Sequence, residues 1–308
     1  MVSTSGPLGA QQPFDSLRLA AVTGAVCYTF PDPDAPIANR YHLGETIGAS
    51  KSTRGTGGRL YYFDSWRVRG ISPTCWVPAY ATIPFDRRHP EGAYAAIAER
   101  LLARGDSASF EQLVEAENFL IEPLPNSASG PSPLAESGLV QIRRLMLVDR
   151  AASRLDARHV DDEPLERAWI LAHHDLLFYF EPDAAWYLRG DAYWAIIDAN
   201  IGAPWTDEVA WYVAQRPSPS DECDADCYLD MIRGGPQQYW IRFPSGTSVH
   251  KALDLAIRLA GNAVDGLADG NPTRAAIDRV RASLGRVNAP EKARLLGVLS
   301  RLDNFVKP

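Results

Sequence analysis

Over residues 17–84 apolar and polar positions change places in short runs: "LRLAAVTGAVCYTF", "NRYHLGETIGAS", "RLYYFDSWRVRG" and "CWVPAYATI". The runs are rich in β-branched and aromatic residues, and the turn-forming stretches "PDPDAP", "SKSTRGTGG" and "ISPT" separate them. About five short strands are predicted in this region, a number suited to a small β-barrel. From "HPEGAYAAIAERLLARG" onward apolar residues recur three and four apart, which is the period of a helix. The change of period sets a boundary at 86/87, with a barrel over 17–86, a helical domain over 87–308 and a flexible N-terminus over 1–16. The expected fold class is α+β and multidomain, a small barrel followed by an all-α helical bundle or a short helical-repeat domain.

Helix starts are marked by side chains that can cap free backbone N–H groups. Ser109 and Gln112 have capping-box spacing, Asn271 precedes Pro272, and Asn288 lies three residues before Glu291. Beyond "EPLPNSASGPSPLAESG" (122–138), which reads as a Pro/Ser-rich loop, helices are predicted near 138–158, 163–180, 183–200, 205–215, 223–242, 246–266, 272–285 and 289–305.

Composition narrows the classes. With 46% hydrophobic and 22% charged residues the chain is an ordinary globular one. The net charge of −7 and the lack of a long Lys/Arg run argue against a nucleic-acid partner. The most apolar helix-like run, "AWILAHHDLLFYF", carries His173, His174 and Asp175 and is too short to span a bilayer, so no transmembrane segment is expected. Residues 1–16 lack the basic and apolar regions of a signal peptide. The four cysteines form an even set of two separated pairs, which suggests a disulfide-permissive, extracytoplasmic (periplasmic or secreted) location.

The N-terminal region resembles a bacterial SH3-like (SH3b) domain over roughly 68 of the 308 residues. Leu43 and Gly44 stand for its Leu-x-x-Gly turn, Trp66 and Val68 for its Trp-x-x-Val strand, and Trp76 and Val77 for its closing Gly-Trp-Val strand, with Cys75 in place of the Gly. The chain departs from the pattern in the loop "TFPDPDAP" and in the insertion "GASKSTRGTGGRLYYFD". In such a barrel the opening and closing strands are neighbours, so the resemblance implies a Cys27–Cys75 disulfide. Two buried free thiols are the alternative. The resemblance also implies recognition of peptide or cell-wall material through aromatic side chains, with Tyr28, Phe30, Tyr61, Tyr62 and Tyr80 as candidate ligand contacts, while Trp66 and Trp76 are assigned to the core. Near the C-terminus, "CYLDMIRGGPQQYWIRFPSGTSVHKALDLAIRLA" resembles a tetratricopeptide-like helix pair.

Candidate chemistry is sparse. "GETIGASKST" lacks the contiguous Gly-Lys-Ser/Thr of a phosphate loop. His173 and His174 are adjacent, so on a helix they diverge by about 100° and do not share a metal ion. Cys223 and Cys227 leave open a short disulfide, a zinc site with His250, or free thiols; the disulfide is preferred, and no metal and no cofactor are expected. The reading is a non-catalytic extracytoplasmic binding or scaffold protein, its barrel recognising peptide or cell-wall material and its helical domain a protein partner. The alternatives are a cell-wall or related hydrolase that uses the barrel for targeting, and an assembly protein built on Trp-rich helices.

Overall fold

Strands β1 (Ser16–Ala20), β2 (Ala25–Tyr28), β3 (Ile37–Tyr41), β4 (Thr46–Arg54), β5 (Leu60–Asp64), β6 (Cys75–Pro78) and β7 (Thr82–Pro84) form one antiparallel sheet in the order β3-β2-β6-β5-β4-β1-β7. The computed structural model describes residues 16–64, 74–121, 137–155, 162–181, 183–216, 223–265, 267 and 271–306. The expectations for Trp66, Val68 and nearly all of 1–16 and 122–138 fall outside the described residues. Among the described residues the ladder is open: β3 and β7 end it, and the closure of a barrel is not among its pairings. There are seven strands rather than five because three of the four runs are each divided: "LRLAAVTGAVCYTF" turns at Gly24 (φ 65°) into β1 and β2, "NRYHLGETIGAS" turns at Gly44 (φ 76°) into β3 and β4, and "CWVPAYATI" is broken by a turn at Ala79–Ala81 into β6 and β7.

Two compact units divide the chain, Met1–Ala151 and Ala152–Pro308. The change from strand to helix falls between β7 and α1, inside the first unit.

In the first unit one sheet face buries Ala20, Ala25, Cys27, Tyr41, Ile47, Cys75, Val77 and Ala81. Helix α1 (Pro90–Leu102) packs along β7, and α2 (Phe110–Ile121) packs on α1, with Phe119 stacked on Tyr94 at 4.7 Å. The capping box forms as predicted: Gln112 N–H donates to Ser109 Oγ and Ser109 N–H to Gln112 Oε1, both at 3.3 Å. Helix α3 (Gly138–Ala152) is tied to the other two by Arg143–Glu99 (2.6 Å) and Arg144–Glu117 (3.0 Å).

The second unit is mostly but not wholly helical, which corrects the all-helical expectation. Helix α4 (Pro164–Ala172) gives way to a hairpin of β8 (Leu177–Phe180) and β9 (Ala185–Leu188). The hairpin wins over helix because "LFYF" and "AWYL" supply aromatic cross-strand pairs, Phe178–Tyr187 at 5.9 Å and Tyr179–Trp186 at 5.3 Å. Helices α5 (Gly190–Ala199) and α6 (Thr206–Ala214) follow. The helix predicted over 223–242 is broken into α7 (Ala225–Gly234) and α8 (Pro236–Arg242). Pro236 lacks the N–H a continuous helix needs, and Gly235 lies so close to the end of α6 that a Cβ there would stand 2.6 Å from the Ala214 carbonyl oxygen. Helices α9 (Val249–Asp265), α10 (Arg274–Ser283) and α11 (Glu291–Asp303) complete the unit. The cap of α10 is Thr273 rather than Asn271; its hydroxyl accepts from Ala276 N–H at 3.3 Å.

Both cysteine pairs are disulfides. Cys27 and Cys75 lie 5.5 Å apart at Cα and join the neighbouring strands β2 and β6; Cys223 and Cys227 lie 5.3 Å apart and brace the start of α7. No helix among the described residues is long and apolar enough to cross a membrane.

Candidate functional site

Because successive side chains on a strand point to opposite faces, register decides which aromatics meet. Trp76 pairs with Tyr28 on one side and with Phe63 on the other, Phe63 pairs with Lys51, and Tyr28 pairs with Ile37. Cross-strand partners share a face, so Lys51, Phe63, Trp76, Tyr28 and Ile37 form a row across β4, β5, β6, β2 and β3, on the face opposite Cys27 and Cys75. At about 4.8 Å between strands the row spans roughly 19 Å.

Two bulges set its ends. Between Ala49 and Lys51 the register of β4 shifts, and the extra residue turns Lys51 towards Phe63 instead of the core. A second shift between Cys27 and Tyr28 sets Ile37 opposite Tyr28. The Lys51 ammonium stands 4.3 Å from the Phe63 centroid and 5.3 Å from that of Trp76, whose rings lie 4.9 Å apart. Lys51 and Ile37 are exposed; Phe63, Trp76 and Tyr28 are half-buried. A tilted aromatic pair carrying a cation is a surface on which an extended or planar partner can stack.

The five sequence-predicted contacts scatter about this row. Tyr28 belongs to it. Tyr61 shares its face and meets Tyr28 edge-on at 6.5 Å, but it is only 1% exposed. Its ring is roofed where Gly55 of the β4–β5 turn meets the carbonyl of Pro31, a fit that leaves no room for a Cβ on Gly55. Burial pushes the Tyr61 hydroxyl pKa up, with Arg59 opposing. Tyr62, next in sequence, points to the opposite face, where the Arg18 guanidinium lies 4.0 Å from its ring centroid. Arg18 is itself buried, donates to Thr82 Oγ1 at 2.7 Å, and has its pKa lowered by that burial. Phe30 and Tyr80 are 67% and 63% exposed. Thr56 hydrogen-bonds Asp32, whose other oxygen accepts from Asp34 N–H at 2.9 Å; these bonds hold the Asp32 pKa low and fasten the loop that carries Phe30 to the β4–β5 turn.

Sequence reasoning missed Phe63 and Lys51 and assigned Trp76 to the core. The period of two in "LYYFD" already puts Tyr61 and Phe63 on one face and Tyr62 on the other. The placement of Lys51 depends on a bulge with no sequence marker. On the buried face Tyr41 donates to Asp64, which also accepts from Gly48 N–H at 3.1 Å, and the Tyr41 oxygen is 3.8 Å from Cys75 Sγ. Burial and the Asp64 carboxylate push the Tyr41 pKa far up.

In the second unit His173 is buried, its ring tilted against that of Trp169 at 4.4 Å, with Nδ1 2.7 Å from the Trp169 carbonyl oxygen; His174 is exposed beside Asp175. His250 pairs with Glu291 at 2.9 Å, and Cys223 and Cys227, the alternative zinc ligands, are in a disulfide.

No protein-family model matches the chain, and no curated protein or solved structure matches it.

Proposed function

We propose that this chain is a non-catalytic extracytoplasmic binding protein whose N-terminal sheet, an open variant of an SH3b-like domain, recognises peptide or cell-wall material, while the helical unit binds a protein partner. The observation that carries this reading is the row Lys51–Phe63–Trp76–Tyr28 on the sheet face opposite Cys27 and Cys75. Aromatic groups left half-open beside a cation favour stacking and cation–π contacts with an extended ligand. The two disulfides favour a location outside the reducing cytoplasm.

The test is co-sedimentation of the full oxidised chain with purified peptidoglycan. Retention is expected, and Lys51→Ala together with Phe63→Ala should reduce it with near-UV circular dichroism unchanged. Absence of retention, or retention equal in wild type and variant, overturns the reading. Release of soluble fragments during the assay would favour the hydrolase alternative.

A further inference from the structure

A hollow of about 180 Å³ opens in the first unit, where α1 and α2 meet the turns that join β1 to β2 and β3 to β4. Ala21, Val22, Leu43, Ile97, Leu101 and Ala116 give it an apolar lining. A cavity of about 150 Å³ with apolar walls is large enough for benzene, so this one admits a single ring or a short branched chain.

The other lining residues among those described are Thr23, Arg100, Arg104 and Gln112, polar or basic and none of them acidic. Arg100 is anchored without being neutralised. Its Nη1 donates to the Tyr80 carbonyl at 2.6 Å and its Nη2 to the Thr82 carbonyl at 3.2 Å, bonds that fix the guanidinium but bring no negative charge. That charge is felt by a neighbour: burial lowers the pKa of Arg18, Tyr62 opposes, and Arg100 adds to the lowering.

Arg104 follows α1 and is exposed, and among the described residues its side chain has neither a hydrogen bond nor an ion pair. Asp106, two residues on, stands 3.6 Å from Arg150 instead. Glu115 accepts from the Thr23 hydroxyl and does not line the hollow. Gln112 supplies neutral donors. Its Oε1 accepts from Ser109 N–H at 3.3 Å in the capping box, which leaves the amide N–H groups for a ligand. An apolar hollow is thus bordered by one fixed cation, one uncommitted cation and an oriented amide.

We infer that this hollow binds a small monocarboxylate with a compact apolar body. The body packs among Val22, Leu43, Leu101 and Ala116, and the carboxylate meets Arg104 and the Gln112 amide beside the fixed charge of Arg100. A guanidinium offers a carboxylate two parallel N–H donors, and the apolar lining favours an organic acid over a bare anion. The site is separate from the aromatic row and does not rest on the function proposed for it.

The experiment titrates the full oxidised chain with para-fluorobenzoate, read by its fluorine NMR line, followed by competition with benzoate, benzylammonium, benzyl alcohol and inorganic phosphate. Saturable binding to one site is expected, displaced by benzoate far better than by the other three. Arg104→Gln changes an exposed side chain and should weaken benzoate about tenfold, the scale of one lost charge-assisted contact. Ala116→Leu should fill the hollow and abolish binding; Leu101→Phe serves the same end if that variant does not fold, with circular dichroism deciding, and Arg104→Gln decides alone if neither folds. Absence of saturable binding, or binding that survives in a folded cavity-filling variant, overturns the site. Displacement by benzylammonium, benzyl alcohol or phosphate equal to that by benzoate, or an Arg104→Gln variant unchanged towards benzoate, overturns the assignment to a monocarboxylate.

Discussion

The ring of Phe119 on α2 occupies the space where a side chain on Gly44 would have to stand. Gly44 also holds φ at 76° and donates its N–H to Ala20 at 2.8 Å, so one residue turns the chain between β3 and β4 and seats a helix against the sheet. Gly24 has a similar φ of 65° with no atom within reach of an added Cβ. The two positions separate backbone strain from overlap. Gly24→Ala should cost about 1–2 kcal/mol through the left-handed backbone alone. Gly44→Ala should lose that and a further ~1–3 kcal/mol for the overlap with Phe119. Urea melts of the full chain, followed by a signal from the first unit, check the difference; equal losses would show that α2 is not seated on Gly44.

The disulfides should differ in weight. Cys27–Cys75 closes a separation of 48 residues and should contribute about 4 kcal/mol by loop-closure entropy. Cys223–Cys227 closes a separation of 4 and should contribute about 2 kcal/mol. Intact mass without reductant should lie four hydrogens below the reduced value, and Cys27→Ser/Cys75→Ser should lower the urea midpoint more than Cys223→Ser/Cys227→Ser. Four alkylatable thiols in protein unfolded without reductant would remove both bonds and the argument for an oxidising compartment.

Acid should weaken the second unit through Asp207. Burial raises its pKa, but hydrogen bonds from Tyr239 and from the N–H and hydroxyl of Thr247 outweigh burial and hold it below the usual carboxylate value. A depressed folded pKa means that folding favours the charged form. The stabilisation is therefore complete above the unfolded pKa of about 3.9 and is lost as pH falls through the lower folded value. Asp207→Ala should cost about 1–3 kcal/mol at neutral pH, because the buried Tyr239 hydroxyl loses an acceptor, and should flatten the acid dependence. Urea midpoints at pH 7 and pH 3, for wild type and variant, test this; an unchanged acid slope would count against it.

Residues of the aromatic row should matter less to stability than core residues do. Lys51→Ala should cost under about 1 kcal/mol, since it removes an exposed cation–π contact. Phe63→Ala should cost about 1–2 kcal/mol, part of its half-buried area and its pairing with Trp76. Thermal melts give both values; a loss above ~3 kcal/mol at Phe63 would place it in the core.

The sequence by itself determined the features that depend on near neighbours along the chain. The strand runs and the change of period were legible because side-chain alternation is a property of a few consecutive residues. The Ser109–Gln112 capping box was legible for the same reason, since its two partners lie within one helical turn. The Cys27–Cys75 bond was reached only through likeness to a fold in which those strands are adjacent, and the structure pairs them. Tertiary structure alone decided the rest. It placed Lys51 on the aromatic face through a bulge, split 223–242 where Gly235 meets Ala214, and left the sheet open. It also put the "LFYF" and "AWYL" runs into a hairpin and gathered Val22, Leu43, Arg104 and Ala116 around one hollow. Each of these turns on contacts between residues distant in sequence or on a register shift, and a one-residue shift reverses the face of every side chain beyond it.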